Sequence, residues 1–381
     1  MDLIYNAADS NATSEGYGMH LLTVMDSFVK AICKLNTPQK LSPGEQAKPD
    51  QGQHYLKDKK LPEALRKDVQ VALIDDGADF MYKAIADKLN GGRSLDTGKA
   101  APVPFHGLTT GHGTYMAYMI GRVCPHVKIY VCKLNLIRGG SGSASFTESA
   151  ADAVEFAVKR GFDIISISWT VQKGNNKEHI DRFSLAIAEA TRKNILVFCS
   201  APDIGHASKD QLSTYYPFGD SKTENQIFRI GAAKADGSAY NWLGNAQLVD
   251  FILPGDNVKL LSGDSIKAED DIPKTGSSVA TALAAGFAGL IIHCVRLAAI
   301  YHWYEKKSDQ SDGINEKSLK DIKNIDAMKR AFKAIAKGNT DRDRRLEVET
   351  FFKDKAEALQ KDSDGWHEIV SLARALLLAI K

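Results

Sequence analysis

Short apolar runs alternate along the chain with longer segments whose apolar residues recur at helical spacing. The short runs are rich in Val and Ile, which is typical of strands buried on both faces. They occupy residues 69–74, 127–134, 163–168 and 195–200, and helical periodicity occupies residues 145–159 and 177–192. This alternation predicts an α/β fold of three layers, in which a mainly parallel sheet lies between helices.

Polar side chains stand where the predicted strands end. Asp75 directly follows the first apolar run, and Ser168 and Ser200 end two of the later ones. Ligands of open parallel sheets bind outside the carboxyl ends of the strands. The pattern therefore predicts a functional cleft at that edge of the sheet.

Three segments can be distinguished by pattern and charge. Residues 1–65 form a helical N-terminal extension and a polar linker, residues 66–296 form the main domain, and residues 297–381 form a helical, charged C-terminal extension. The last segment carries apolar stripes, made by Leu346, Val348, Phe351, Phe352, Val370, Leu372, Ala373, Leu376 and Leu377. We expect these stripes to pack on the main domain; a surface for a protein partner is the alternative.

Composition narrows the class of protein. The 381 residues are 44% hydrophobic and 25% charged, as in ordinary globular domains, and the net charge is +2. This charge balance argues against nucleic-acid binding driven by bulk electrostatics. No internal repeat or low-complexity tract stands out.

The chain also carries few features of export or membrane insertion. Residues 1–9 lack the basic and apolar stretches of a signal peptide. The most apolar window, residues 279–292, is too short to span a bilayer, so we expect no membrane association. The cysteine count is odd (five), and most of these residues sit in apolar runs. Free thiols and a cytoplasmic location are therefore expected.

Three motifs carry candidate chemistry. Asp75 ends a predicted strand, His112 lies between two glycines, and Ser277 and Ser278 stand at the start of an apolar helical stretch. Each has an ordinary explanation, as a turn residue, a buried histidine or a helix cap. A serine at a helix start also lies beside unpaired backbone N–H groups, which suit a nucleophile whose reaction develops an oxyanion.

Asp75, His112 and Ser278 follow one another in the order of the subtilisin-type triad. Residues 71–79, 111–114 and 276–286 resemble the Asp, His and Ser segments of the subtilases, the S8 serine peptidases. The chain is similar in particular to intracellular subtilase domains of fungal proteins. This resemblance implies a subtilisin-like fold and a serine endopeptidase that cleaves polypeptides through an acyl-enzyme.

The resemblance also assigns roles to the three residues. Ser278 is the nucleophile, His112 is the general base, and Asp75 orients the imidazole. Ser278 is preferred to Ser277 because the family motif places the nucleophile third in the run. Asp75 is preferred to Asp76 by the same alignment, since neighbouring side chains of a strand point to opposite faces.

One position departs from the family pattern. Subtilases usually carry an Asn whose amide donates to the oxyanion, whereas this chain has Asp203 there. An ionised carboxylate only accepts hydrogen bonds, so we expect Asp203 to act as a protonated donor and to favour activity at acidic pH. A simple turn residue after Pro202 is the alternative. If Asp203 does not donate, a catalytically weak or inactive module with a recognition or regulatory role becomes the competing function.

The resemblance further suggests substrate contacts. Gly140 and Gly142 lie in a Gly/Ser-rich stretch similar to one cleft edge of subtilases, where an extended peptide adds as a strand. A phosphate-binding loop is the alternative for this stretch, but it lacks the Gly-Lys-Ser/Thr ending. Ser168 and Trp169 match the other cleft wall. Structural calcium is frequent in the family, yet no clustered carboxylate loop is present, and no cofactor is expected.

Overall fold

The computed structural model describes residues 16–35, 54–95, 104–107, 110–134, 144–173, 177–261, 264, 272–336, 344–361 and 365–381. The strands are β1 Gln70–Asp75, β2 Leu89–Ser94, β3 Lys128–Lys133, β4 Ile164–Ile167, β5 Val171–Gln172, β6 Leu196–Ser200, β7 Tyr215–Tyr216, β8 Phe228–Ala233 and β9 Phe251–Pro254. The helices are α1 Tyr17–Ile32, α2 Glu63–Arg66, α3 Lys83–Ala86, α4 His112–Val123, α5 Ala144–Arg160, α6 Lys177–Arg192, α7 Lys209–Leu212, α8 Ser277–Tyr304, α9 Glu316–Ile322, α10 Ile325–Ile335, α11 Asp354–Lys361 and α12 Trp366–Ala379.

A seven-stranded sheet forms the middle layer. Its strand order is β2-β3-β1-β4-β6-β8-β9, and every adjacent pair is parallel. The four apolar runs identified in the sequence form β1, β3, β4 and β6, so the predicted α/β fold is confirmed. β4 and β6 are buried along their whole length, which explains why their sequences show no apolar-polar alternation.

Helices cover both faces of this sheet. On one face, the apolar core includes residues of α1, α4, α8, α10 and α12, and on the other it includes residues of α5 and α6. α4 and α8 cross closely at Gly286, where a side-chain carbon would lie 2.7 Å from the carbonyl oxygen of Ile120. Only glycine permits this approach, which brings together the helices that begin with His112 and Ser277.

Helix α8 is longer than the sequence pattern indicated. The apolar window was expected to end at residue 292, but the helix continues to Tyr304, so the proposed boundary after residue 296 falls inside it. By length and composition this helix could cross a membrane, yet its most apolar 18-residue window is entirely buried inside the protein. It is a core helix of this fold.

The N- and C-terminal extensions pack on the same core. Phe28 of α1 meets Phe352 with ring centroids 5.0 Å apart. Every stripe residue of the C-terminal segment is buried or partly buried, as expected for packing on the main domain. Arg344 and Arg345 continue the sheet beyond β9, where the N–H of Ile252 donates to the carbonyl of Arg344 at 2.9 Å.

The five cysteines are all free, as the sequence predicted. Cys124, Cys132, Cys199 and Cys294 are buried, whereas Cys33 is exposed. Burial raises the pKa of Cys124 and Cys132 to about 12, so these two thiols stay protonated and unreactive at neutral pH.

Candidate active site

The end of β1 presents a fully buried carboxylate. Oδ1 of Asp75 accepts the backbone N–H of Asp76 at 2.9 Å and lies 2.7 Å from Nδ1 of His112. Because an ionised carboxylate only accepts, this contact places the imidazole proton on Nδ1. The structure thus pairs His112 with Asp75 and not with the neighbouring Asp76.

His112 is the first residue of α4, and about a third of its side chain (33%) is exposed. Burial lowers the pKa of this imidazole, but the charge of Asp75, its hydrogen bond and the charge of Asp76 together raise the pKa above 6.5. With Nδ1 held by Asp75, the free nitrogen is Nε2. That nitrogen can take up a proton from a neighbouring hydroxyl.

Ser278 lies at the start of α8 and is half-buried. A cavity of about 300 Å³ is lined by both Ser278 and His112, together with Tyr115 of α4 and Thr275. Ser278 and His112 therefore border the same cavity. The start of a helix carries partial positive charge, which favours a negatively charged oxygen at the same place.

The neighbouring Ser277 is placed quite differently. It is fully buried, and its hydroxyl donates to Oδ1 of Asp203 at 2.7 Å and accepts the N–H of Ala232 at 3.1 Å. Its backbone N–H donates to Oδ2 of Asp203 at 2.6 Å. Ser277 is thus a structural link between the start of α8 and two other segments, which leaves Ser278 as the accessible hydroxyl.

Asp203 belongs to an exposed turn beside this link. Burial of its carboxylate against the protein raises the pKa of Asp203 above 3.8, and the hydrogen bonds from Ser277 offset part of that rise. Both oxygens act as acceptors here. Gly276, at φ +142°, lies between Asp203 and Ser278, and a side-chain carbon there would be 3.2 Å from Oδ2 of the one and 3.4 Å from Oγ of the other.

The sequence model of the subtilase family, Peptidase_S8, matches residues 66–308. The chain belongs to this family of serine-type peptidases. An intracellular serine protease of Paenibacillus polymyxa is 25% identical over 233 residues, which are 58% of this chain and 66% of that protein, just under two thirds of its length.

The solved structure of a protease shares the fold. A lanthipeptide protease superposes with a TM-score of 0.53 at 21% identity, covering 77% of this chain and 88% of that one. A cold adapted subtilisin-like serine proteinase gives a TM-score of 0.49 at 16% identity, covering 71% of this chain and 83% of the other.

Two of the four substrate-contact residues expected of this subtilase are described, and both are buried. Trp169 is 8% exposed; its ring packs against Phe146 and Phe183, and its indole N–H donates to the carbonyl of Ile74 at 2.7 Å. It thus supports the strand end that carries Asp75. Ser168 is also buried. Gly140 and Gly142 lie outside the described residues.

Sequence reasoning missed the tyrosines that hold the chain segment before Ser278. Tyr118 donates to Oδ2 of Asp264 at 2.7 Å and accepts the N–H of Leu261 at 2.9 Å, while Tyr82 donates to the carbonyl of Asp264 at 2.8 Å. The bonds of Tyr118 tie residues 261 and 264 to the helix that begins with His112, and the bond of Tyr82 ties residue 264 to the start of α3.

No group of three or more His, Cys, Asp or Glu side chains within the described ranges is arranged to hold a metal ion. The calcium that often stabilises subtilases therefore has no visible ligand set in this part of the chain.

Proposed function

We propose that the protein is a serine endopeptidase that cleaves polypeptides through an acyl-enzyme. The observation that carries this proposal is the placement of His112, which is bonded to Asp75 through Nδ1 and lines the same cavity as Ser278. An imidazole held by a buried carboxylate and open to a serine hydroxyl is the arrangement of a serine protease.

In this mechanism Ser278 attacks the substrate carbonyl through Oγ while Nε2 of His112 takes the serine proton. The same imidazole then gives that proton to the leaving amine, and water repeats the cycle to release the acid. Asp75 keeps Nδ1 protonated and stabilises the imidazolium. The backbone N–H of Ser278, at the positive end of α8, is the first donor to the oxyanion.

Asp203 is proposed as the second oxyanion donor in its protonated form. As a carboxylate it accepts twice from Ser277, but as an acid its hydroxyl is free to donate to a bound substrate oxygen. The negative charge that develops on that oxygen favours the protonated form further. The exposure of its turn and the raised pKa of Asp203 both support this role.

The Asp203→Asn variant should gain activity on the alkaline side of the pH–rate profile. In the wild type, the donor is lost as pH rises through the pKa of Asp203, whereas the introduced amide donates at every pH. Loss of one oxyanion donor costs about a hundred- to a thousandfold in rate, which sets the size of the expected gain. The measurement is kcat/KM for a chromogenic peptide as a function of pH.

Ser277 can accept from the introduced amide through its hydroxyl, so the link to α8 is retained in this variant. Thermal unfolding of both proteins serves as the control. If the wild type keeps full activity at neutral and alkaline pH, and the variant profile is the same, Asp203 is not the donor.

The proposed substrate is a polypeptide, and the proposed site of action is inside the cell. The family is one of peptidases, and the Paenibacillus polymyxa relative is named an intracellular serine protease. One of the two superposed proteases acts, by its name, on lanthipeptides.

The alternative function is a catalytically weak or inactive peptidase-like module that binds or regulates other proteins. Asp203 favours it, since a carboxylate that only accepts would leave the oxyanion with one donor at neutral pH. A fluorophosphonate probe separates the two functions because it reacts only with an activated serine. We expect the wild type to be labelled and His112→Ala to lose labelling; an unlabelled wild type would contradict the endopeptidase function and favour the alternative.

A further inference from the structure

Asp76, the residue after Asp75, is fully buried and binds the chain segment that carries His112. Its Oδ2 accepts from both the backbone N–H and the hydroxyl of Thr110, each at 2.7 Å. Its Oδ1 accepts the N–H of Gly113, also at 2.7 Å. These donors flank His112 in sequence, so one carboxylate fixes the backbone on both sides of the imidazole.

The main chain around Asp76 is fixed by hydrogen bonds from the end of β3. The ammonium of Lys133, at the end of β3, is nearly fully buried and donates to the carbonyl of Asp76 at 2.6 Å. One residue earlier, the N–H of Leu134 donates to the carbonyl of Asp75 at 2.7 Å. The carboxylate of Asp76 therefore projects from a turn whose position is set by the neighbouring strand.

There is no free space between this turn and the start of α4. A side-chain carbon on Gly113 would lie 2.1 Å from the carbonyl oxygen of Gly77 and 3.1 Å from Oδ1 of Asp76. Gly113 therefore has to be glycine for the two segments to approach this closely. The turn after β1 and the start of α4 form one packed unit.

We infer that Asp76 is a positioning residue that holds His112 where it can meet Asp75 on one side and Ser278 on the other. Its carboxylate is fully buried and makes no contact with the cavity, so it acts through Thr110 and Gly113 and not on substrate. The effect on catalytic rate rests on the proposed function, whereas the effect on His112 itself does not.

Within the described ranges, four charged side chains are placed near His112. Asp75 and Asp76 lie at the end of β1, Lys133 lies behind Asp76, and Lys274 lines the same cavity as the imidazole. The negative charge of Asp76 contributes to the raised pKa of His112. Removing that charge should therefore lower the pKa of the imidazole, besides loosening its backbone.

The test is Asp76→Asn, assayed by NMR titration of His112 and by the rate of fluorophosphonate labelling. In this variant an NH₂ group replaces one carboxylate oxygen of Asp76, so a donor faces the backbone N–H of Thr110 or of Gly113 and that hydrogen bond is lost. We expect labelling to slow about 10- to 100-fold, because small displacements of catalytic groups cause losses of rate of this size. We also expect the pKa of His112 to fall below its wild-type value.

A milder variant and a matched control accompany it. Thr110→Val keeps the shape of this exposed residue and leaves the charge of Asp76 in place, but it removes the hydroxyl that bonds to Asp76. Labelling should therefore slow while the pKa of His112 changes little. Thr110→Ser keeps a hydroxyl and should be labelled at the wild-type rate. Asp79→Asn makes the same charge change nearby. The Asp79 carboxylate accepts from the N–H of Met81 in its own loop, so both readouts should stay at wild-type values.

The outcomes separate cleanly. Two results together would overturn the inference. The first is that Thr110→Val is labelled at the wild-type rate, and the second is that His112 keeps its wild-type pKa in folded Asp76→Asn. A lowered Tm with both readouts unchanged would also overturn it, because Asp76 would then serve stability alone. If Asp76→Asn does not fold, the labelling rates of Thr110→Val and Thr110→Ser decide whether the inference holds. A wild type that is never labelled refutes the proposed function, and the NMR titration still tests the placement of His112.

Discussion

Ser278→Ala should abolish fluorophosphonate labelling and lower kcat about a millionfold, the loss that follows removal of the nucleophile from a serine protease triad. The reason is local: Ser278 supplies the proposed nucleophile and lines the same cavity as His112. Fold and substrate binding should persist because the substitution removes one half-buried oxygen. The measurement combines labelling with peptide hydrolysis at the pH of highest wild-type activity.

Ser277→Ala is the matched control for this prediction. It removes the adjacent hydroxyl, which is buried and bridges Asp203 and Ala232. We expect a lower Tm, by an amount set by the loss of two buried hydrogen bonds, and retained labelling of Ser278. If the Ser277 variant loses labelling and the Ser278 variant keeps it, the assignment of the nucleophile is reversed.

Asp75→Asn should reduce kcat by about ten-thousandfold, the loss observed when the orienting carboxylate of such a triad becomes an amide. The charge of Asp75 both stabilises the imidazolium and raises the pKa of His112. Without it, the imidazole becomes neutral at lower pH. The acid limb of the pH–rate profile should therefore move towards lower pH while its plateau falls.

A shifted acid limb together with a lower plateau distinguishes the loss of the Asp75 charge from a loss of folded protein. A misfolded variant would lose amplitude without a shift of the limb, since the remaining active molecules would titrate as the wild type does. Asp79→Asn again controls for a general change of charge. A variant with wild-type kcat would remove Asp75 from the mechanism.

Much of the fold could be predicted because buried parallel strands and amphipathic helices have distinct patterns. The predicted helix at residues 177–192 has the same bounds in the structure, and the run at residues 195–200 differs from β6 by one residue. The order of Asp75, His112 and Ser278 pointed to one cleft, and the structure brings the first two into contact and places the last two around one cavity.

The length of α8 could not be predicted from apolar residues alone. The run of apolar residues is interrupted at His293 and Arg296, and the charge of Arg296 indicates the end of a buried segment. In the structure Arg296 is buried and donates to the carbonyl of Leu65 at 2.7 Å and to Asp68 at 3.2 Å. A charged residue can continue a core helix when distant segments supply its partners, and sequence periodicity does not show such partners.

The roles of Trp169 and Asp76 were hidden for a related reason. The assignment of Trp169 to the cleft wall stays a prediction, and the sequence could not show that its ring packs against Phe146 and Phe183 of the helices that cover the sheet. From the sequence alone, Asp76 is only the alternative to Asp75 as the partner of His112. Its partners, Thr110 and Gly113, are more than thirty positions away, so only the folded structure connects them.

The contact between Arg344 and Ile252 has a consequence for self-association. β9 is the last strand of the sheet, and its outer side would otherwise offer unpaired N–H and C=O groups to another molecule. The segment that follows α10 occupies part of that side, with two arginines that bring charge to it. The C-terminal segment thereby protects a sheet that would otherwise be open to addition of a foreign strand, including a strand from a second copy of the same protein.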